Sequence, residues 1–240
     1  MMKQSKREKE ISYKYSNTSA FSKLIAIIAL CSAIIGFSFR YLTLKVDQGE
    51  QIHSLQQSIA ELKSAINVDS IRQQNISKIL SILERFNAEM DTDTKYDIAN
   101  EIYAMSLMYD NLDVDLICAT ITHESNRSWD PMVKSPVGAI GLMQIMPLTG
   151  MYIAKLESIT WTNPEDILGN PIYNIRLGSR YLSSMISSYD IDGGLAAYNG
   201  GERKAAQWVR SNRADGILWA ETSKYVPSVL SLYEKYQKMN

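Results

Sequence analysis

Glu124 is the residue in this 240-residue chain best placed for acid–base chemistry. Leu116, Ile117, Thr120 and Ile121 precede it on one helical face, and the sequence predicts a helix from Asp113 or Asp115 to Ser125. A carboxyl at the C-terminal end of a helix sits at the negative pole of the helix dipole. That pole and apolar neighbours both disfavour ionisation, so such a group can keep its proton at neutral pH and act as a general acid. The position also fits an ordinary solvated glutamate, and spacing alone leaves both readings open.

The surrounding residues exclude several other chemistries. His123-Glu124-Ser125-Asn126-Arg127 begins like the zinc motif H-E-x-x-H, but Arg127 stands where the second histidine belongs. Cys118 and His123 lie five apart on one helix and do not face each other as nucleophile and base. Gly193-Gly194 and Gly200-Gly201 lack the Lys-Ser/Thr that completes a phosphate loop. With only His53, His123, Cys31 and Cys118 available, a His-rich metal site and a disulfide scaffold are excluded. No metal and no cofactor is expected. The balance of 25 Lys+Arg against 26 Asp+Glu excludes a strongly basic nucleic-acid binder, so no nucleic-acid partner is expected.

The elements that must hold Glu124 read as helices. Ile98, Ile102, Met105 and Met108 recur at helical spacing, with Leu107 beside them. Pro131, Pro136 and Pro147 punctuate a loop-rich stretch, and further helices are predicted at 172–187, 202–210 and 225–237. Alternating strand patterns are scarce. The fold class expected is mainly α.

Several ordered blocks then carry a family resemblance. They are Glu124-Ser125 and the run from Ser135 to Pro147 that contains Gly141-Leu142-Met143-Gln144. Asn170-Pro171, Asn174-Ile175, Leu177-Gly178 and Tyr181-Leu182 follow, then Ala197-Tyr198-Asn199-Gly200-Gly201, then Glu221-Thr222 with Tyr225-Val226. Over about residues 95–235 the chain resembles the soluble lytic transglycosylase (SLT) family, which shares the lysozyme-like fold. The resemblance implies a peptidoglycan enzyme that cleaves the β-1,4 bond between N-acetylmuramic acid and N-acetylglucosamine. It implies that Glu124 protonates the glycosidic oxygen, then takes the proton from the muramoyl C6 hydroxyl, which closes a 1,6-anhydro ring. A tethered nucleophile replaces the positioned water of a hydrolase, so a second carboxylate is not required.

The same resemblance assigns substrate-binding roles. Met143 and Gln144 line the cleft, Gln144 through its amide. Gly138, Ala139 and Gly141 keep backbone close to the cleft floor. Tyr198 offers a ring face to the sugar and a hydroxyl near Glu124, and Tyr225 sits near the acid. Ser125 binds substrate or caps the helix; Asn199 bonds substrate or only its own turn; Glu221 contacts sugar or makes a structural bond. Trp129, Trp161, Trp208 and Trp219 read mostly as core.

The preceding residues have other roles. Residues 1–45 hold eight Lys/Arg and two Asp/Glu, whereas 91–240 hold 13 and 18. Between Lys23 and Arg40 lie 16 uncharged residues, which span about 24 Å as a helix; continuing to Leu44 reaches bilayer thickness when Arg40 snorkels. Residues 24–44 are therefore expected to be a transmembrane signal anchor in the bacterial cytoplasmic (inner) membrane. The basic tail 1–23 stays in the cytoplasm and the rest lies outside, periplasmic or extracytoplasmic. A cleaved signal peptide is the alternative.

Ile52, Leu55, Ile59, Leu62 and Ile66 fall at 3,4 spacing, and the register continues through Asp69 and Gln73 to Ile76, Leu80 and Leu83. Residues 46–90 are expected to form a helical, coiled-coil-like stalk that can make a parallel homo-oligomer, with a break near 67–75. One amphipathic helix packed on the next domain is the alternative. Asp91-Thr92-Asp93-Thr94 marks the expected start of the catalytic domain, 91–240.

Two competing functions remain. A lysozyme on the same fold needs a carboxylate to activate water, and Asp130, Glu165, Asp166 and Glu221 are the candidates. A non-catalytic peptidoglycan-binding scaffold needs no acid at all.

Overall fold

The computed structural model describes residues 2–239, with side chains from residue 21 onward. The basic residues Lys3, Lys6, Arg7, Lys9 and Lys14 of the expected tail lie outside the described side chains. The elements are α1 (Met2–Phe86), α2 (Thr92–Met108), α3 (Val114–Glu124), α4 (Pro147–Leu156), α5 (Pro164–Leu168), α6 (Pro171–Gly200), α7 (Glu202–Arg210) and α8 (Ala220–Gln237). Among the described residues there is no named strand, only isolated bridges that pair Ile140 with Lys134 and with Ile145. The mainly α class holds.

The chain divides into two units, residues 1–67 and 68–240. In the first, one helix is long and apolar enough to cross a membrane. Its apolar side chains, Leu24, Ile28, Ile35, Phe39 and Leu42 among them, have no protein over them. Two of its hydroxyls bond to the helix's own backbone: Ser32 Oγ donates to Ile28 O at 2.7 Å and Thr43 Oγ1 to Arg40 O at 2.9 Å. Farther along, Ile52, Leu55, Ile59, Leu62 and Ile66 form an exposed stripe.

The second unit starts earlier than the sequence suggested. Ile79, Ile82 and Leu83 of α1 are buried in its core, and Ile76 and Leu80 pack against that core. Lys78 joins Asp115 at 3.0 Å, and buried Lys95 donates to Glu84 and to the Ala88 carbonyl. The expected boundary at Asp91 thus falls inside the compact unit, where Asp91 caps α2 by accepting from Thr94 N. The later part of the expected seam faces the domain rather than another chain. Of that seam, Ile52, Leu55, Ile59, Leu62 and Ile66 stay exposed among the described residues.

Helix α3 runs through the middle of this unit, against α2 and α8. Residues Leu116 to Thr122 are all buried, so the helix is enclosed on every side. Asp113 is its N-cap, accepting from Leu116 N at 2.8 Å. In α2, Ile98, Ile102 and Met105 enter the core, whereas Leu107 and Met108 are exposed because the helix ends there.

The proline-rich stretch is more helical than expected. Pro147 and Pro164 each begin a helix, at the position where a missing N–H costs nothing. Helix α6 also outruns its predicted end at 187. It breaks at Asp190 (φ 63°) and resumes to Gly200, with Arg213 bonded to Asp190 and Asp192 across the kink.

Candidate active site

Glu124 is the last residue of α3, and a rigid floor fixes that helix end. Trp129 is fully buried; its Nε1 donates to Thr122 Oγ1 at 3.0 Å, and Thr122 pairs with the Tyr236 hydroxyl at 2.9 Å. Ser125 is buried and its Oγ accepts from Trp129 N at 3.1 Å. The Ser125 hydroxyl oxygen thus braces the turn that follows α3. Asn126, Arg127 and Trp129 take left-handed φ values of 51°, 61° and 48° to bring the chain round.

The Glu124 carboxyl is set deep in protein, although part of the side chain remains accessible. Burial pushes its pKa up to about 8 from an ordinary 4.5; Glu221 nearby adds to the rise and the Tyr225 hydroxyl opposes it. Burial and the Glu124 charge together hold the Tyr198 and Tyr225 hydroxyls well above their usual range, so both stay protonated. The Tyr225 oxygen is the one buried side-chain polar atom among the described residues without a hydrogen-bond partner. It lies close enough to favour the Glu124 carboxylate, yet no hydrogen bond is formed. A carboxyl that loses its proton during a reaction is the partner this hydroxyl lacks.

His123 stacks edge-on against Tyr225 at 4.8 Å between centroids. Burial, followed by the charge of Arg127, lowers its pKa, so it is neutral at pH 7. Glu221 is exposed in the first turn of α8, within electrostatic reach of Glu124 and His123. Of the other carboxylates considered, Glu165 pairs with Lys134 at 3.1 Å and Asp166 bonds to Asn163 and Thr162. Asp130 accepts from the Met132 N–H at 2.9 Å.

The loop from Val133 to Ile145 is built differently from the expectation. Met143 is fully buried, its side chain filling the space at Gly178; it is a core residue and not a cleft wall. What Met143 offers the site is its carbonyl, which accepts from the Tyr198 hydroxyl at 2.7 Å and so positions that ring. Gln144 is half-buried, and its amide NH₂ donates to Val133 O at 3.2 Å and Gly141 O at 2.9 Å. Those donors brace the loop and leave only the amide oxygen for a ligand.

Asn174 locks the loop, a role that sequence reasoning did not assign. It is fully buried; its Oδ1 accepts from Met143 N at 2.7 Å, and its Nδ2 donates to Ile140 O and Leu168 O, both at 2.9 Å. Gly141 is required for this. Its φ is 83°, and a Cβ there would collide with Asn174 Nδ2 and Leu168 O. Its small size serves Asn174 rather than a clear cleft floor. The only sequence signal for Asn174 was its place in a motif.

Tyr198 leans on Tyr181, with ring centroids 5.2 Å apart. Asn199 Oδ1 accepts from Thr222 Oγ1 at 2.7 Å, tying α6 to α8, which matches the structural reading of Asn199. Trp129 is core and Trp161 and Trp208 pack against it, whereas Trp219 is 54% exposed, with Lys204 Nζ 4.7 Å from its ring. Glu124, Tyr198, Tyr225 and Glu221 come together; Ser125, Met143 and Asn199 support them from behind. No group of His, Cys, Asp and Glu suited to a metal ion is present among the described residues.

Comparison with known proteins gives the family. Residues 103–218 match the Transglycosylase SLT domain family. The soluble lytic murein transglycosylase of Escherichia coli K12 is 35% identical over 122 residues, covering 46% of this chain and 19% of that protein. The membrane-bound lytic murein transglycosylase D of the same strain is 28% identical over 130 residues, covering 51% of this chain and 28% of that protein. Among solved structures, the 70-kDa soluble lytic transglycosylase from Escherichia coli superposes with a TM-score of 0.52 at 30% identity, over 65% of this chain and 25% of that one. The chain thus spans about a fifth to just over a quarter of the length of these relatives. Residues 103–218 form a domain of the transglycosylase SLT family, lysozyme-like in fold.

Proposed function

We propose that this protein is a membrane-anchored lytic transglycosylase that cleaves the MurNAc-β-1,4-GlcNAc bond of peptidoglycan, with Glu124 as acid and then base. The observation that carries the reading is the buried Glu124 carboxyl, lifted to about 8. At pH 7 it is mostly protonated and gives its proton to the glycosidic oxygen as the C1–O bond breaks. The carboxylate left behind gains support from the Tyr225 hydroxyl. It then takes the proton of the C6 hydroxyl while O6 bonds to C1. The acid is regenerated, no water is consumed, and the product ends in a 1,6-anhydro ring. Tethering of O6 supplies the high effective concentration that a positioned water lacks.

Mass spectrometry of digested peptidoglycan tests this directly. Anhydro ends are expected; reducing ends would instead assign hydrolysis, with Glu221 as the carboxylate nearest in effect. A scaffold would give neither. The pH profile follows from the same residue: kcat/KM should fall as pH rises through about 8, by about tenfold per unit beyond it. A profile with its alkaline limb near pH 5 would contradict a protonated acid.

Residues 24–44 anchor the protein, with the N-terminus inside and the catalytic domain in the periplasm. The apolar, unburied stretch of α1 supports this, as does a relative that is itself membrane-bound. The stripe from Ile52 to Ile66 pairs two copies in parallel. Isoleucine at each a position and leucine at each d position favours two strands, and a shared membrane sets both helices in the same direction. In a Cys31→Ser background, Ile59→Cys should cross-link the full chain in membranes, whereas Gln57→Cys, on the opposite side of the helix, should not. Equal cross-linking at both positions would rule out this seam.

A further inference from the structure

The last turns of α1 reach both ends of the helix that carries Glu124, although they lie before residue 103, where the family match begins. At the start of α3, Lys78 Nζ donates to both carboxylate oxygens of Asp115, at 3.0 and 3.2 Å, and both side chains are largely shielded from water. Beyond the other end of α3, Asn87 Nδ2 donates to the Trp129 carbonyl at 3.2 Å. From Lys78 to Asn87 the chain rises about 14 Å and α3 rises about 16 Å, so one segment spans the other. Between the two pins, Ile79, Ile82 and Leu83 are buried in the core. Asn87 directly follows α1, and its own N–H donates to Leu83 O at 2.7 Å, which sets it at the helix end.

The second pin falls on a strained turn. Trp129 holds φ at 48°, a costly value for a residue with a side chain. Its N–H bonds to Ser125 Oγ and its indole to Thr122 Oγ1, so the setting of this one residue is passed to both sides of Glu124. Among the described residues, the Asn87 amide is the hydrogen-bond donor to the Trp129 carbonyl.

We propose that Asn87 is a positioning residue for Glu124, and that the end of α1, pinned by Lys78 and Asn87, is a splint that sets how deeply the catalytic carboxyl sits. This deepens the reading of Glu124 as the acid and rests on it for the effect on cleavage. Without the Asn87 donor, the Trp129 carbonyl turns toward water, the left-handed backbone relaxes and the end of α3 frays. Water then reaches the carboxyl, and the acid releases its proton at lower pH. The titratable groups that face Glu124 are Tyr198 of α6 and Tyr225 and Glu221 of α8, with His123 beside it on α3 and Arg127 in the turn. None of them bonds to Asn87 among the described residues.

Two measurements on the full chain in detergent test this. Asn87→Leu keeps the shape of the asparagine and adds no charge, but it donates nothing. In the first measurement it should bring the alkaline limb of kcat/KM down from about 8 by about one pH unit or more. Asn87→Gln, which returns a donor one methylene longer, should recover most of that shift. Ile98→Val, a core change in α2, should lower the melting temperature and leave the limb in place. A less stable Asn87→Leu protein whose limb stays where the wild type has it would make Asn87 merely structural and overturn the proposal. An equal shift in Ile98→Val would overturn it too. The second measurement is amide hydrogen exchange. Asn87→Leu should speed exchange at Ser125, Arg127 and Trp129, whose N–H groups bond to Ile121 O, Thr122 O and Ser125 Oγ, by about tenfold or more. Unchanged exchange there overturns the splint. The exchange arm needs no turnover. A wild type with its limb near pH 5 would therefore defeat the reading of Glu124 while the splint is judged separately.

Discussion

Glu124→Gln is expected to lower kcat for glycan cleavage by about 10³- to 10⁴-fold while making the protein more stable at neutral pH. The two effects share one cause. The Glu124 carboxyl has its pKa pushed up to about 8 from 4.5, chiefly by burial. Between those values the folded protein holds a proton that the unfolded chain has released. The native state therefore loses stability as pH rises from about 4.5, and the loss is complete above about 8. Glutamine has the shape of the protonated acid and never ionises, so the variant escapes that loss. The gain should be near zero at pH 4 and about 1–3 kcal/mol at pH 8, read as a difference in chemical denaturation between the two proteins. A variant that is inactive but no more stable at pH 8 would mean that Glu124 is solvated in the folded state.

The second large effect concerns a residue that touches no substrate. Asn174→Ala removes three hydrogen bonds and leaves Met143 N and Leu168 O without the asparagine, whereas Ile140 O keeps the Ile145 N–H. Each orphaned group costs about 1–3 kcal/mol, and a small cavity adds to it, so a loss of about 3–5 kcal/mol is expected. Catalysis should fall too, because the Met143 carbonyl that accepts from Tyr198 belongs to the loop that Asn174 holds. Thermal or urea unfolding with kcat measured well below the melting point checks both parts. A loss under about 1 kcal/mol would show that the loop closes without Asn174. Gly141→Ala should resemble it, since a Cβ there collides with the same asparagine.

These expectations mark where the sequence was readable and where it was not. The site helix was legible from Asp113 to Glu124, because an acidic cap and a dense apolar run have few other uses. Helix α7, Glu202–Arg210, agreed with its predicted span. Helices α4 and α5 are not legible in the sequence, because proline marks a helix start and a loop equally well until the chain is folded. The stalk was overextended for a related reason. The spacing that suits a coiled-coil seam also suits a helix lying on its own domain. Periodicity reports that one face is covered and does not report by what; Ile79 and Leu83 turned out to face the core.

In the site, residue types were legible and side-chain directions were not. Met143 and Gln144 sit in a tight turn, with Gln144 at φ 47°, where helix or strand periodicity gives no orientation. One faces the core and the other bonds to its own loop. Asn174 and Thr222 work by pairing with distant backbone or side chains. A linear pattern carries no trace of such pairings.

Direct titration of the Glu124 carboxyl offers the sharpest test of this mechanism. Infrared difference spectroscopy of the wild type against Glu124→Gln isolates the C=O stretch of that one protonated acid. Followed across pH 4 to 10, the band should persist through neutrality and vanish with a midpoint near 8. A band already lost by pH 5 would show an ionised carboxylate at physiological pH, and the chain would then lack the acid on which the proposed cleavage depends.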